Sequence, residues 1–189
     1  IYPDTQLYDP FCGSGTFLIE AAYKAKNIAP GIYRRFAAEK WDSLPSKIWQ
    51  TSREEAIEKI RKDIEFTAFG SDICQDSLEI AEANARRAGI AGLVRLEKMN
   101  VKNFTMPDRK SLVVTNPPYG ERLMTGEDLT QLYQTMGNVF QPSQQTAYYI
   151  ISSAEDFEQG FGRKADKKRK LYNGMLKCNL YQYFAQKSK

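Results

Sequence analysis

Residues 9–16 form the first of three short motifs whose residue types could support chemistry, and they read Asp-Pro-Phe-Cys-Gly-Ser-Gly-Thr. Gly13 and Gly15 allow a sharp backbone turn that leaves room for a ligand. A helix that begins after this loop would point free N–H groups at that ligand. Asp9, directly before the loop, favours a ligand with an ammonium group over a pyrophosphate. A dinucleotide fingerprint would also need a glycine at position 18, which is Leu. A tight turn without a ligand is the alternative.

Asp72 is the second candidate, and it ends the run Phe-Gly-Ser-Asp at residues 69–72. An acidic side chain at the end of the second strand of such a sheet can accept hydrogen bonds from both hydroxyls of a ribose. The alternative is a cap for the following helix. Asp76 is better placed for that cap, which favours the ribose role for Asp72.

Residues 116–119, Asn-Pro-Pro-Tyr, form the third motif, directly after an apolar run. Pro117 and Pro118 stiffen the turn and have no N–H groups, so nearby carbonyls have fewer local partners. An exocyclic amine could donate to Asn116 Oδ1 and to the Pro117 carbonyl, while its ring stacks on Tyr119. The motif therefore indicates a pocket for a planar group with an amine. A plain proline-rich turn is the alternative.

The composition excludes several other kinds of site. The chain contains no histidine, which removes Ser-His-Asp and Cys-His catalysis and zinc sites with histidine ligands, and we predict no metal site. The three cysteines form no Cys-x-x-Cys pair, so we expect buried thiols in a reducing compartment rather than disulfides. A net charge of +4 permits an anionic partner. No apolar run approaches the length of a membrane span.

Strands and helices that alternate along the chain would position these motifs. The apolar patterns predict strands over residues 7–11, 66–72, 93–98, 111–115 and 147–152. Helices are predicted over about residues 15–26, 52–65, 76–88 and 127–140, the third with a capping box at Asp76 and Glu79 and an end at Gly89. Residues 29–50 read as an insertion, and residues 168–185 as a hairpin that turns near Asn173 and Gly174. This alternation predicts an α/β fold with a mostly parallel sheet, whose ligands bind at the carboxyl ends of the strands.

Taken together, the motifs resemble those of the class I S-adenosylmethionine-dependent amino-methyltransferases. More narrowly, residues 116–123, Asn-Pro-Pro-Tyr-Gly-Glu-Arg-Leu, resemble the bacterial 23S rRNA guanine-N2 methyltransferases, a family often labelled N6-adenine-specific DNA methylase. Residues 29–41 and 162–174 strengthen the resemblance, which covers nearly the whole chain. It implies a Rossmann-like, mostly parallel seven-stranded sheet that ends in an antiparallel hairpin.

The resemblance also implies roles for particular residues, with S-adenosyl-L-methionine as the cofactor. The methionine part of the cofactor would be held by Asp9, Phe11, Cys12, Gly13, Ser14, Gly15 and Thr16. Asp72 would hold the ribose, Ile73 would flank the adenine, and Asn100 would contact the adenine amine where the family more commonly has Asp. The target base would be held by Asn116, Pro117, Pro118 and Tyr119. To reach this pocket inside folded RNA, the base must be unstacked and turned out.

Basic residues are candidates for contact with nucleic acid. Arg122 could contact a phosphate or a base edge, and a surface ion pair is the alternative. Six positive charges lie close together at Arg163, Lys164, Lys167, Lys168, Arg169 and Lys170. Such a run is usually a solvated face, and next to a nucleic-acid site it could equally contact phosphates. Arg163 and Lys164 are the predicted substrate contacts of this group. For Arg34 and Arg35, the same two alternatives apply: a solvated surface position or a contact with phosphate.

The resemblance extends to the organisation of the protein. It implies that residues 1–189 are the catalytic domain of a longer, cytoplasmic protein with an upstream THUMP-type RNA-binding domain, and that 23S rRNA is its partner. Only six residues precede the first predicted strand, too few for the helix that precedes it in this fold. We expect the chain alone to fold but to bind rRNA poorly.

Three alternative functions remain open from the sequence. One keeps the chemistry and changes the substrate to the N6 amine of adenine in DNA or in another RNA. The second is a non-catalytic nucleotide-binding module, for example one that binds a nicotinamide cofactor. The third is a scaffold or RNA-binding module that has lost activity.

Overall fold

Seven strands form one sheet in the computed structural model, which describes residues 5–105, 107–119 and 126–186. In chain order the strands are β1 (Gln6–Asp9), β2 (Ala68–Asp72), β3 (Val94–Lys98), β4 (Ser111–Thr115), β5 (Thr146–Ser152), β6 (Lys167–Asn173) and β7 (Leu176–Tyr183). Across the sheet their order is β3-β2-β1-β4-β5-β7-β6. The first five strands pair in parallel, and β7 pairs antiparallel to both β5 and β6. The predicted α/β fold and its C-terminal hairpin are confirmed.

Within the described ranges, five α-helices accompany the sheet: α1 (Thr16–Lys26), α2 (Ser46–Glu58), α3 (Gln75–Arg87), α4 (Gly126–Val139) and α5 (Phe157–Phe161). Short 3-10 turns cover Ala37–Lys40, Ala91–Leu93 and Val101–Asn103. Among the described residues, no helix is both long and apolar enough to cross a bilayer.

Two apolar cores lie on opposite faces of the sheet. The first is built from small and aliphatic side chains of α1, α3 and β1–β3, including fully buried Leu18 and Ala68. Gly70 in β2 belongs to this contact, because a Cβ there would collide with the side chain of Leu18. The second core is aromatic and joins α4 and α5 to β4, β5 and β7, with Phe140 stacked on Tyr148 at a centroid distance of 5.3 Å.

The second predicted helix is displaced in the structure. It begins at Ser46 rather than near residue 52, ends at Glu58, and buries none of its side chains. The chain beyond it is bound to the end of α1 instead: Asn27 Nδ2 donates to the Lys59 carbonyl at 2.9 Å, and the Arg61 N–H donates to the Lys26 carbonyl at 2.8 Å. These tertiary hydrogen bonds replace the next helical turn, so Ile64 is buried from a loop.

The capping box predicted at the start of α3 is also wrong. Cys74, and not Asp76, is the N-cap residue, and the Cys74 side chain makes no capping hydrogen bond. The predicted end of the helix is confirmed, because Gly89 directly follows the C-cap residue with a φ of 70°. A left-handed φ of this kind favours glycine.

Candidate active site

Asp9 ends β1 and is almost completely buried, with 2% of its surface exposed. Its Oδ1 accepts hydrogen bonds from Thr115 Oγ1 at 2.6 Å and from the Phe11 N–H at 3.2 Å. Burial penalises the charged carboxylate and raises the pKa of Asp9 to about 7, although the hydrogen bonds from Thr115 and Phe11 oppose that shift. Thr115 is the last residue of β4, so this contact joins the carboxyl ends of two neighbouring strands.

The glycine-rich loop that follows Asp9 is tied to the end of β2 by Asp72. The Gly13 N–H donates to Asp72 Oδ2 at 3.0 Å, and the Cys74 N–H donates to Oδ1 at 2.9 Å. Gly13 and Gly15 have φ values of 49° and 82°, which explains why glycine is needed at both positions. The Asp72 carboxylate thus joins the loop to the start of α3. The alternative role of Asp72, a hydrogen bond at the start of the following helix, is therefore present, and Asp76 is not the N-cap residue. The ribose role of Asp72 stays a prediction.

A cavity of about 510 Å³ lies above the carboxyl ends of the central strands. Its walls come from three parts of the chain: the end of β1 with its loop, the start of the third motif, and the β5–β7 region. The lining residues are Asp9, Phe11, Cys12, Gly13, Ser14, Thr16, Phe17, Asn116, Ile151, Leu171, Tyr172 and Cys178. Two motifs that are separated by about a hundred residues therefore meet at one cavity, as expected for the carboxyl edge of a parallel sheet.

The third motif leaves β4 directly into this region. Asn116 is exposed and lines the cavity, whereas Pro117 is buried and Pro118 is half-buried. Tyr119 is half-buried, and its Oη lies 3.8 Å from the Sγ of Cys178 in β7, within reach of a weak S–H···O contact. The hairpin is therefore in contact with the aromatic ring that is predicted to stack on the target base.

Asp72 does not line the cavity, and two further predicted cofactor residues, Ile73 and Asn100, lie next to it and also outside the lining. Ile73 is 65% exposed, so its side chain is open to a ligand. Asn100 Oδ1 accepts a hydrogen bond from the Lys102 N–H at 3.0 Å and caps the short 3-10 turn of Val101–Asn103. The Met99 N–H donates to the Asp72 carbonyl at 3.0 Å, which keeps Asn100 close to the end of β2.

The family model described as RMKL-like, methyltransferase domain, matches residues 1–182 of the chain. The chain belongs to this methyltransferase family. The family resemblance inferred from the motifs is thereby confirmed.

Relatives of this methyltransferase domain cover nearly all of it. YpsC of Bacillus subtilis, named provisionally as an RNA methyltransferase, is 44% identical over 184 residues, which are 97% of this chain and 48% of YpsC. The ribosomal RNA large subunit methyltransferase K/L of Shewanella oneidensis is 39% identical over 193 residues, 98% of this chain and 27% of that protein. A crystal structure of SMU.472, named provisionally as a methyltransferase and complexed with SAH, superposes with a TM-score of 0.95 at 44% identity, over 100% of this chain and 50% of that one. The chain spans about half or less of the length of these relatives.

Arg163 and Lys164 lie at the end of the sheet that is opposite the cavity. β5 and β7 run antiparallel, so Ser152 near the end of β5 pairs with Asn179, and Tyr148 near its beginning pairs with Tyr183. Tyr183 Oη donates to the Arg163 carbonyl at 3.1 Å, so Arg163 lies near the amino end of β5. The cavity lies at the opposite, carboxyl end of that strand.

Arg163 has a packing role at this place. Its guanidinium lies over the rings of Phe161 and Tyr183, at 5.3 and 4.8 Å from their centroids, and donates to the Phe140 carbonyl at 3.0 Å. The predicted contact of Arg163 and Lys164 with substrate phosphates stays a prediction. Arg122, the other predicted basic contact, lies outside the described residues.

Several residues of the site have no strong signal in the sequence. Thr115 is an ordinary strand residue, and only its register beside β1 brings it to Asp9. Leu171 and Cys178 lie in the hairpin, and the antiparallel pairing of β7 brings them to the cavity. Cys178 and Cys12 are buried as expected, but Cys74 is exposed, since it stands at the start of α3.

Proposed function

We propose that this domain binds S-adenosylmethionine at the carboxyl edge of its sheet and transfers the methyl group to an exocyclic amine of an RNA base. One observation carries the proposal: Asn116 of the third motif lines the same cavity as Asp9 and the glycine-rich loop. An acceptor for an amine and a binding site for a methyl donor are therefore adjacent. The membership in a methyltransferase family and the SAH bound to SMU.472 support this choice of cofactor.

The residues around the cavity fit the cofactor. A volume of about 510 Å³ is typical of sites for small molecules, which span ~300–1,000 Å³. Asp9 offers a carboxylate for the ammonium of the methionine part, and the loop has two glycines with left-handed φ where the backbone meets the ligand. Asp72 and Ile73 stand beside this loop for the ribose and the adenine, and Asn100 lies next to them. When bound, S-adenosylmethionine supplies an electrophilic methyl group.

The third motif acts on the nucleophile. An exocyclic amine is a poor nucleophile because its lone pair is delocalised into the ring. Hydrogen bonds to Asn116 Oδ1 and to the Pro117 carbonyl favour a more pyramidal nitrogen and stabilise the positive charge that develops on it. Tyr119 holds the ring by stacking. The charged nitrogen loses a proton readily, so this chemistry needs no histidine and no strong base.

We further propose that the substrate is the N2 amine of a guanine in 23S rRNA. Two observations support an RNA substrate: YpsC is named as an RNA methyltransferase, and the K/L protein of Shewanella oneidensis is named for the large ribosomal subunit. The guanine follows from the likeness of residues 116–123 to guanine-N2 enzymes. A cytoplasmic location is part of the same proposal.

Transfer of a labelled methyl group tests the proposal. The protein is incubated with labelled S-adenosylmethionine and either 23S rRNA or duplex DNA, and the products are digested and separated by mass spectrometry. We expect N2-methylguanosine in the rRNA and no label in the DNA. Label only in DNA, or only in N6-methyladenine, would contradict the guanine assignment.

Two asparagine variants test the role of the third motif. Asn116→Ala is expected to lower the rate of methyl transfer by about 10²–10³-fold, the usual loss of one donor or acceptor that stabilises transition-state charge. Its affinity for S-adenosylhomocysteine should stay within twofold. Asn138→Ala is the matched control, because Asn138 is exposed on α4. An unchanged rate for Asn116→Ala would refute the proposed role and favour a module without activity.

We also propose that an upstream THUMP-type domain of the whole protein provides most of the affinity for rRNA. The mild net charge of +4 and the partial coverage of the relatives support this division. Methylation of naked rRNA by residues 1–189 and by the full-length protein should differ strongly. Equal rates for the two proteins would contradict this proposal.

A further inference from the structure

The basic run in β6 is divided between the two faces of the sheet. β6 spans Lys167–Asn173 at the edge of the sheet, and its four cations occupy consecutive positions, 167–170. Because successive side chains of a strand point to opposite faces, Lys167 and Arg169 lie on one face, and Lys168 and Lys170 on the other. The run is therefore two pairs of cations with different surroundings.

On one face, the cations are engaged by neighbours within the domain. Lys168 Nζ donates to Glu158 Oε2 at 2.7 Å and lies 5.9 Å from the centre of the Tyr181 ring. Lys170 Nζ lies 5.3 Å from the centre of the Tyr172 ring. Lys168 in particular is neutralised by Glu158, so this face has less charge to offer to an anion.

The other face is continuous with the wall of the cavity. Arg169 pairs with Leu180, and Leu180 pairs with Ile151, which lines the cavity. Leu171, two residues beyond Arg169 on the same face, also lines it. Tyr172, on the opposite face, lines it as well, but its ring is already covered by Lys170. With strands about 4.8 Å apart and a rise of about 3.3 Å per residue, the Cα of Arg169 lies ~10 Å from that of Ile151 and ~7 Å from that of Leu171.

The cations of this second face are available. Lys167 and Arg169 are both exposed, and neither makes an ion pair with any residue in the described ranges. Their Cα atoms are separated by about 6.6 Å along the strand, which is comparable to the step between neighbouring phosphates of an extended single strand. The guanidinium of Arg169 can bind a phosphate through two hydrogen bonds.

We propose that Lys167 and Arg169 bind successive phosphates of the RNA strand beside the nucleotide that enters the cavity. The β6 edge then holds the strand, while Asn116 and Tyr119 take the base that is turned out of it. This inference rests on the proposed function, and it assigns phosphate contact to one face of β6 instead of to Arg163 and Lys164. The phosphates position the substrate and carry no base specificity.

A pair of neighbouring variants tests the assignment, because Arg169→Gln and Lys170→Gln remove the same charge from opposite faces of the same strand. Binding of a fluorescein-labelled, single-stranded RNA of mixed sequence to the full chain is measured by anisotropy, in the presence of S-adenosylhomocysteine and over a range of salt concentrations. Arg169→Gln should weaken binding about fivefold and reduce the slope of log affinity against log salt by ~0.7, the contribution of one phosphate on a single strand. Lys170→Gln should change the slope by less than half of that amount.

The outcomes distinguish the assignment of phosphate contact to one face of β6 from the proposed methyltransferase function. Equal losses for Arg169→Gln and Lys170→Gln would overturn the facial assignment and indicate only a general positive field. Arg169→Lys should keep most of the slope, because it keeps the charge. Affinity for S-adenosylhomocysteine and the melting temperature should stay unchanged in all three variants. Methyl transfer by the unaltered protein is measured in parallel, so a protein that binds RNA through Arg169 but methylates none would contradict the proposed function alone.

Discussion

The cofactor half and the substrate half of the cavity differ in the hydrogen bonds that fix their residues in place. In the cofactor half, two carboxylates, Asp9 and Asp72, each accept two hydrogen bonds of 2.6–3.2 Å that join β1, β2, β4 and the glycine-rich loop. In the substrate half, Asn116 is exposed at the end of β4, and Tyr119 touches β7 through the long contact to Cys178. The cofactor half is thus formed before any ligand arrives.

This difference fits the two ligands. A small cofactor of fixed shape gains affinity from a site that is already ordered, because little entropy is lost on binding. A base that belongs to a large RNA must be unstacked first, and it brings its own binding energy from the flanking strand. Substitutions in the first half should therefore alter cofactor binding and stability, and substitutions in the second half should alter the use of RNA.

The largest effect is expected for Asp72→Ala. This change removes the acceptor for the Gly13 and Cys74 N–H groups together with the proposed ribose contact. Charge-assisted hydrogen bonds of this kind contribute about 1.5–3 kcal/mol each, so the affinity for S-adenosylhomocysteine should fall by about 10²-fold or more in calorimetry. Asp76→Ala, at an exposed position in the first turn of α3, is the control and should leave the affinity unchanged. A loss below threefold for Asp72→Ala would contradict the ordered cofactor half.

Asp9→Asn should separate stability from binding in the same half. The raised pKa means that Asp9 holds its proton more tightly in the folded chain, so its support for folding is complete below its ordinary value of 3.8 and is lost as the pH rises through about 7. At pH 8 the wild-type chain carries a buried charge that the variant lacks, while the amide oxygen can still accept from Thr115 and Phe11. We expect the variant to melt roughly 5 °C higher at pH 8, with the gain shrinking towards pH 5.

Binding of S-adenosylhomocysteine should respond in the opposite direction. Asp9→Asn removes the proposed partner of the ammonium group, so affinity should fall even though the fold is more stable. A melting difference that is the same at pH 5 and pH 8 would show that burial does not control the protonation of Asp9.

The order of elements and the cofactor motif were predictable because they depend on local patterns. Apolar residues recur at helical spacing within α1, α3 and α4, so each helix can be predicted from its own residues. Gly13 and Gly15 likewise indicate a turn from their own positions, whatever the position of β1 in the sheet. Once strands and helices alternate, the carboxyl ends of the strands must meet at one edge, which brings Asn116 to Asp9.

What could not be predicted depends on contacts between distant residues. The displaced α2 is set by hydrogen bonds from its following segment to the end of α1, and no periodicity in residues 46–65 encodes them. The position of Arg163 follows from the antiparallel register of β7 against β5, which places the segment before β6 near the amino end of β5. The sequence of a basic run does not show which of its side chains face the cavity, because that depends on how the strand pairs with its neighbours.

Gly15→Ala tests whether the loop itself is already formed in the cofactor half. Gly15 has a φ of 82°, and an added Cβ would lie 3.2 Å from the Cβ of Ala81 in α3. Left-handed backbone costs a residue with a Cβ about 1–2 kcal/mol, so we expect a melting temperature lower by a few degrees and weaker binding of S-adenosylhomocysteine. Gly92→Ala is the control, because a Cβ there meets nothing within 4 Å. Equal melting temperatures for the two variants would show that the loop is free to rearrange.

The smallest effect is expected in the substrate half, for Cys178→Ala. The change removes the contact from Sγ to Tyr119 Oη and leaves a small void, at a cost to stability of about 1 kcal/mol. Because Cys178 acts on Tyr119 and not on the cofactor loop, we expect KM for RNA to rise about two- to threefold, with kcat and the affinity for S-adenosylhomocysteine nearly constant. Cys74→Ala, at the exposed cysteine, should change none of these values. A Cys178→Ala variant that loses cofactor affinity instead would show that the two halves are coupled through β7, and the comparison between them would then no longer hold.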